Sequence, residues 1–297
     1  MHARTKARLP RDSRVGDVTG QICHGTRGSR RRGALGYPRT VTSPDRVPAN
    51  PEAPNPQLPS VQKLRIRYAK RGRLRFTSHR DFGRAFERAV RRAGVPIAHS
   101  SGFSPHPKIS YAGASPTGAA SEAEYLEIGV VRHVDPDELA RALDTALPPG
   151  LDILEVVAVR EGSGSLADRL EASAWTLVLP TVSPETAASA VDAFLAAPEV
   201  LVDRMTKKGL RTFDSRAAVV RLESRRSPDT QGTCAILDVV VRHGTPSVRP
   251  DDVLAGLRAI AGLVPSEVPV ATRTAQGPLD AQSGTVGDPL APDRDAS

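Results

Sequence analysis

The stretch "KLRIRYAKRGRLRFTSHRDFGRAFERAVRRA", residues 63–93, decides the fold, because the spacing of its apolar positions changes period partway along. Leu64, Ile66 and Tyr68, then Leu74 and Phe76, alternate with basic residues, the two-residue period of a half-buried strand. Arg71 and Gly72 offer a hairpin turn, and Arg65, Arg67, Arg73 and Arg75 make the polar face of this ribbon almost wholly positive. Beyond Thr77 the period lengthens. Ser78 with Asp81 three residues later is a helix start, and Gly94 followed by Pro96 is a stop, so residues 79–93 are expected to be helical. At 100° per residue, Phe82, Phe86, Ala89, Val90 and Ala93 fall on one side. Arg80, Arg84, Arg88, Arg91 and Arg92 fall on the other, as a stripe.

Working outward, "KISYA" (108–112) and "AEYLEIGVV" (123–131) have strand character, "DPDELARALDTAL" (135–147) is a helix with Pro136 in its first turn, and "LDILEVVAV" (151–159) is a strand. Strand, helix, strand, strand, helix, strand is the βαββαβ pattern of a ferredoxin-like unit. After a connector, "EGSGSLADR" (161–169), a comparable order returns. It comprises "SAWTLVLP" (173–180), a helix over 183–197, strands at "VLVDRMT", "AAVVRLES" and "CAILDVVV", and a helix at "RPDDVLAGLRAIAG". The expected class is α+β, with tandem ferredoxin-like units at 61–163 and 164–273. Residues 1–60 and 274–297 are polar and rich in turn formers, and are expected to be a disordered head and tail.

The net charge of +8 conceals a segregation of sign. Residues 1–60 carry a net +7, residues 61–111 a net +11, and residues 112–297 a net −10. A basic front on an acidic back is the footprint of a protein that meets a polyanion such as RNA. Only Cys23 and Cys234 occur, so the chain supplies neither a disulfide framework, nor a zinc cage, nor the three cysteines of a radical enzyme's iron-sulfur cluster. No resident cofactor or metal is expected. No apolar run approaches the roughly 20 residues of a membrane span, and a cytoplasmic location is expected.

Two further groups of residues suggest binding. In "SSGFSPHPKISYAGASPTG" (100–118), Pro105 and Pro107 stiffen the backbone on either side of His106, and Lys108 follows. Gly102, Phe103 and Ser104 form the tip, and the glycines of this stretch allow a phosphate to approach the backbone. Lys207, Lys208, Arg211 and Arg216 form a second basic patch, with Asp214 placed to orient Arg216. His79 and His106 are the candidate catalytic residues, since an imidazole titrates near neutrality and serves as general acid or base. A plain role for each, as helix-start and scaffold residue, competes with that assignment.

The run from 75 to 130 resembles the bacterial radical-SAM-linked family, a domain of unknown function fused to or encoded beside radical SAM proteins. The resemblance rests on Ser78, His79 and Asp81, on Arg91 to Gly94, on the Gly102–Lys108 loop and on Ser121 to Tyr125. Arg80 and Ser104 replace the Leu and Asn common in relatives. The resemblance is dense over residues 63–130 and thinner to about residue 260. It implies an accessory role beside a radical SAM protein, in some lineages near an RNase E/G-type ribonuclease. Together with the basic face, it leads us to expect a non-catalytic RNA-binding accessory protein, with tRNA, rRNA or a ribonuclease substrate as the RNA. The alternatives are an RNA-processing or RNA-modifying enzyme using His79 or His106, and a docking subunit that contacts only a protein partner.

Overall fold

In the computed structural model, residues 50–206, 209–228 and 234–295 are described. The first half contains β1 (Gln62–Lys70), α1 (His79–Arg92), β2 (Ile109–Ala112), β3 (Ala120–Val130), α2 (Pro136–Ala146) and β4 (Leu151–Ala158). β1 lies between β3 and β4, antiparallel to both, and β2 pairs antiparallel with β3. Alternation along β1 turns Leu64, Ile66 and Tyr68 to the face covered by both helices, where Phe82, Phe86, Leu139 and Leu143 complete the core. Tyr68 stacks on Phe82, with centroids 4.2 Å apart.

Local chemistry sets the helix limits. The Asp81 amide donates to Ser78 Oγ at 3.2 Å, and the hydroxyl donates back to the Asp81 carboxylate at 2.7 Å. At the other end Gly94 takes φ 68°, and the Val95 amide returns to the Val90 carbonyl at 3.1 Å. α2 starts at Asp135, whose Oδ1 accepts from the Glu138 amide at 2.9 Å, with Pro136 in its first turn.

The second half contains β5 (Ala172–Pro180), α3 (Pro184–Ala196), β6 (Leu201–Thr206), β7 (Gly209–Asp214), β8 (Val219–Arg226), β9 (Cys234–Arg242), α4 (Pro250–Ala261) and β10 (Val270–Gly277). β6 and β7 form a separate two-stranded ribbon. The other strands extend the main sheet in the order β4-β1-β3-β10-β5-β9-β8. Leu177, Leu237 and Val239 of this half pack with Phe194 of α3 and Val253 and Leu257 of α4. The halves join where β10 runs parallel to the start of β3, pairing Thr272 with Ala120 and Arg273 with Ser121. The protein is therefore α+β, built on a mostly antiparallel main sheet. No helix among the described residues is long and apolar enough to cross a membrane.

Three expectations are corrected. Arg71 and Gly72 do not turn a hairpin: Gly72–Phe76 is a 3-10 turn leading into α1. The Arg71 amide is bonded to the Gly150 carbonyl, and its guanidinium is spanned by Glu122 and Asp152, which fixes the chain direction at this point. Second, residues 274–295 are not a disordered tail. They finish β10, form the short hairpin β11 (Leu279–Asp280) and β12 (Thr285–Val286), and end in α5 (Ala291–Arg294). One fully buried leucine, Leu290, and one buried carboxylate, Asp293, anchor this polar segment. Third, the close of the expected disordered head is docked: the Gln57 amide donates to Ser101 Oγ at 3.0 Å. Residues 1–49 lie outside the described residues.

Candidate functional site

The basic strand is not the open platform that its sequence suggests. Arg65 is fully buried on the sheet face opposite the helices. Its Nε donates to Glu127 Oε2 at 3.2 Å and its Nη1 to Asp293 Oδ2 at 2.6 Å. Asp293 also accepts from Arg169 Nη1 at 2.6 Å and from the Arg160 amide at 3.1 Å. Burial opposes ionisation of this carboxyl, but the donors from Arg65, Arg160 and Arg169 prevail and hold it below the usual carboxylate range. Arg67 donates to the Glu122 carbonyl at 2.9 Å. Leu290 packs with Ala112, Ala123, Tyr125, Val157, Leu166 and Leu170, so the connector and the C-terminal segment roof this face. Tyr68 points into the helix-side core, away from this face. Arg65 is thereby removed from the outer basic surface.

Accessible arginines do lie on α1 and the turn before it. Arg80, Arg84, Arg88 and Arg91 are exposed; they span an arc of about 80° and a length of about 17 Å at standard helix geometry. Among the described residues only Arg84 of these four has an acid within reach, Asp81 at 3.9 Å. Arg92 is committed elsewhere, donating to the Ala146 carbonyl at 2.6 Å. Arg73 is exposed, and the Arg75 guanidinium sits 4.7 Å above the ring of Phe76, itself 59% exposed. The result is a strip of positive charge that, among the described residues, only Asp81 counters at close range, with an accessible aromatic at one end.

His79 is exposed in the first turn of α1, its ring edge-on to Tyr111 at 4.9 Å. His106 closes its own loop. Its Nδ1 lies 2.8 Å from Ser100 Oγ, its amide donates to the same oxygen at 3.1 Å, and its carbonyl accepts from the Ser100 amide at 2.9 Å. Among the described residues neither imidazole is paired with a carboxylate, and no three His, Cys, Asp or Glu residues are placed to hold a metal. The loop leaves the sheet edge between Ala98 and Lys108, where the Lys108 amide donates to the Ala98 carbonyl at 2.7 Å. At its tip Gly102 takes φ 147°, and Phe103 is 91% exposed, followed by exposed Ser104. Pro105 and Pro107 flank His106, and the Lys108 side chain is exposed.

The second basic patch does not assemble as expected. Lys207 and Lys208 lie outside the described residues, and Arg211 is exposed on β7. Asp214 accepts from the amides of Val200, Arg216 and Ala217, so it shapes the chain turn and does not orient the Arg216 guanidinium. That guanidinium donates instead to the carbonyls of Val219 and Leu195.

Sequence reasoning missed a buried polar centre at the junction of the halves. Arg273 bridges Glu124, and donates to the Gly113 carbonyl at 2.7 Å and to Ser121 Oγ at 3.3 Å. Trp175 lies under its guanidinium at 5.5 Å. Burial is the largest influence on the Glu124 carboxyl and disfavours its ionisation, but Arg273, the hydrogen bonds from Ser121 and Ser115 and the Lys70 charge together outweigh it, and the pKa is lowered. Burial lowers the pKa of the nearby Lys70 ammonium, with Glu124 opposing. The glycine- and serine-rich turn after β2 wraps this pair, the Ser115 amide donating to Glu124 Oε2 at 3.1 Å. Nothing in the sequence linked Arg273, 149 positions away, to Glu124.

Residues 63–250 match the family described as "Uncharacterized protein conserved in bacteria (DUF2344)", and the chain belongs to that family. No curated protein matches it. Among solved structures it is similar to one titled "Crystal Structure of an Unknown Protein from Galdieria sulphuraria", at 14% identity over 71% of this chain and 96% of that chain, with a TM-score of 0.21.

Proposed function

We propose that the protein is a cytoplasmic, non-catalytic accessory protein that binds RNA along the outer face of α1 and the 3-10 turn before it. The observation that carries this reading is the row Arg80, Arg84, Arg88 and Arg91, which lacks close neutralising partners apart from Asp81 and is continued by Arg73, Arg75 and exposed Phe76. Cations spaced along a helix contact successive phosphates, and an accessible aromatic stacks on an unpaired base, so single-stranded RNA is the fitting form. Phe103 and Lys108, on the projecting loop, are additional contacts of the same two kinds. The halves are read as tandem ferredoxin-like units. The strand orders β4-β1-β3-β2 and β10-β5-β9-β8, each with two helices, support this, with the β6–β7 ribbon an insertion. The protein partner is a radical SAM protein, with an RNase E/G-type ribonuclease as a further one.

Crosslinking and sequencing of RNA bound to the tagged protein in its native cells tests the reading. A discrete RNA that is lost in Arg84→Glu/Arg88→Glu is expected; a partner protein recovered without RNA would instead make this strip a protein dock.

A further inference from the structure

On the sheet face opposite α1 and α2 lies a cleft separate from the arginine strip. Two adjoining hollows, an inner one of about 350 Å³ beside the connector and a groove of about 740 Å³, share Lys63, Val159 and Gly164 in their walls. The floor is formed by Lys63 and Arg65 of β1, Ser110 of β2 and Glu127 of β3, and connector residues 164–167 form a wall. The inner volume is near the lower end of small-molecule sites, about 300–1,000 Å³.

The hydrogen-bonding capacity left over in this cleft is uneven. Arg65 is committed to Glu127, Asp293, Ser163 and Gly164. Lys63 is only loosely held: its side chain is 63% exposed, and its ammonium forms an ion pair with Glu127 Oε1 at 3.6 Å, too far for a good hydrogen bond. The Ser110 hydroxyl has no partner among the described residues, and Ser165 Oγ accepts from the Ala167 amide while keeping its own proton to give. The amides of Gly164, Ser165 and Leu166 find no acceptor among the described residues. The inner wall therefore offers several open donors, Lys63, the Ser110 and Ser165 hydroxyls and three amides, with the carboxylates Glu127 and Glu161 as the acidic members of the lining.

We propose that this cleft binds a small phosphate ester, its phosphate held by Lys63, Ser110 and Ser165 and its organic part lying on Ala112, Val159 and Leu166. A phosphate offers more acceptor oxygens than a carboxylate, matching these several open donors. The site stands independently of the RNA reading, because it uses none of the α1 arginines and lies on the other side of the sheet.

Adenosine monophosphate, titrated into the isotope-labelled full chain and followed by NMR, is the direct test, with adenosine as the phosphate-free control. The nucleotide is expected to move the amide resonances of Ser110 and residues 164–166 with a dissociation constant below about 1 mM, and adenosine to leave them in place. Lys63→Met is expected to weaken binding by about tenfold, as loss of a charged hydrogen bond implies. Ser110→Ala, which removes only an exposed hydroxyl, checks the same site should Lys63→Met fail to fold; it is expected to weaken binding severalfold. Arg84→Glu/Arg88→Glu is expected to bind adenosine monophosphate like the parent. Equal responses to adenosine and its monophosphate, unchanged affinity in Ser110→Ala, or shifts confined to α1 would each overturn the proposal.

Discussion

Arg273 of β10 and Glu124 of β3 form a salt bridge across the line where the two halves of the sheet meet, each side chain only 3% exposed. An ion pair in such a place fixes how the parts join more than it adds to stability, because desolvation of both charges offsets most of their attraction. Removing one member is different, since it strands a buried charge. Arg273→Met is expected to cost about 3–5 kcal/mol in urea unfolding. Glu124→Gln/Arg273→Met together should cost clearly less than the two single changes summed, with a coupling of about 0.5–3 kcal/mol. Strictly additive losses would show that the pair is not coupled.

The same pair gives stability a defined pH dependence. Arg273, with the hydrogen bonds from Ser121 and Ser115 and the charge of Lys70, holds the Glu124 carboxyl below its ordinary value despite burial. The folded state thus binds the proton less readily than the unfolded chain. The contribution is fully present above the unfolded value, about 4.3, and is lost as pH falls through the lower folded value. Urea midpoints measured on the acid side should fall less steeply in Glu124→Gln than in the parent, and parallel curves would contradict the assignment.

Asp293 is the second buried anchor, closing the C-terminal segment onto Arg65 and Arg169. Asp293→Ala is expected to destabilise by about 3 kcal/mol or more, because Arg65 loses a charge partner in a fully buried site. Arg226→Ala, which breaks an exposed pair with Glu185, should cost no more than about 1 kcal/mol. Chemical denaturation of both variants side by side checks the contrast.

Gly256 lies inside α4 where a methyl group has no room. A Cβ there would come within 2.7 Å of the Phe194 ring and 2.9 Å of Ser215 Oγ. Gly256→Ala, which normally stabilises a helix by up to about 1 kcal/mol, is expected here to destabilise by about 1–3 kcal/mol. A raised thermal midpoint would mean that α3 and α4 are less tightly apposed than described.

The sequence made local order legible wherever period and caps agreed. Ser78, Asp81 and Gly94 bound α1, and the five apolar positions assigned to its inner face are all buried. The α+β class followed from the succession of such segments. What stayed hidden was which polar face meets solvent. Arg65 and Arg84 look alike along the chain, yet one is sealed beneath a segment more than 200 residues later and the other is exposed. The composition of residues 274–295 is that of a tail, because two anchors, Leu290 and Asp293, suffice to dock it. The β6–β7 ribbon was missed as a ribbon because only its first strand has strong strand character, and exposed residues along β7 blur its alternation.

The dependence of RNA affinity on salt measures the central claim most directly. For Arg80, Arg84, Arg88 and Arg91 of α1, log affinity of a single-stranded RNA against log salt should have a slope of about −3. Arg84→Glu/Arg88→Glu should reduce this to roughly −1.4 without shifting the urea midpoint by more than about 0.5 kcal/mol. Binding that ignores salt, or a slope unchanged in the variant, would contradict the assignment of RNA to this face.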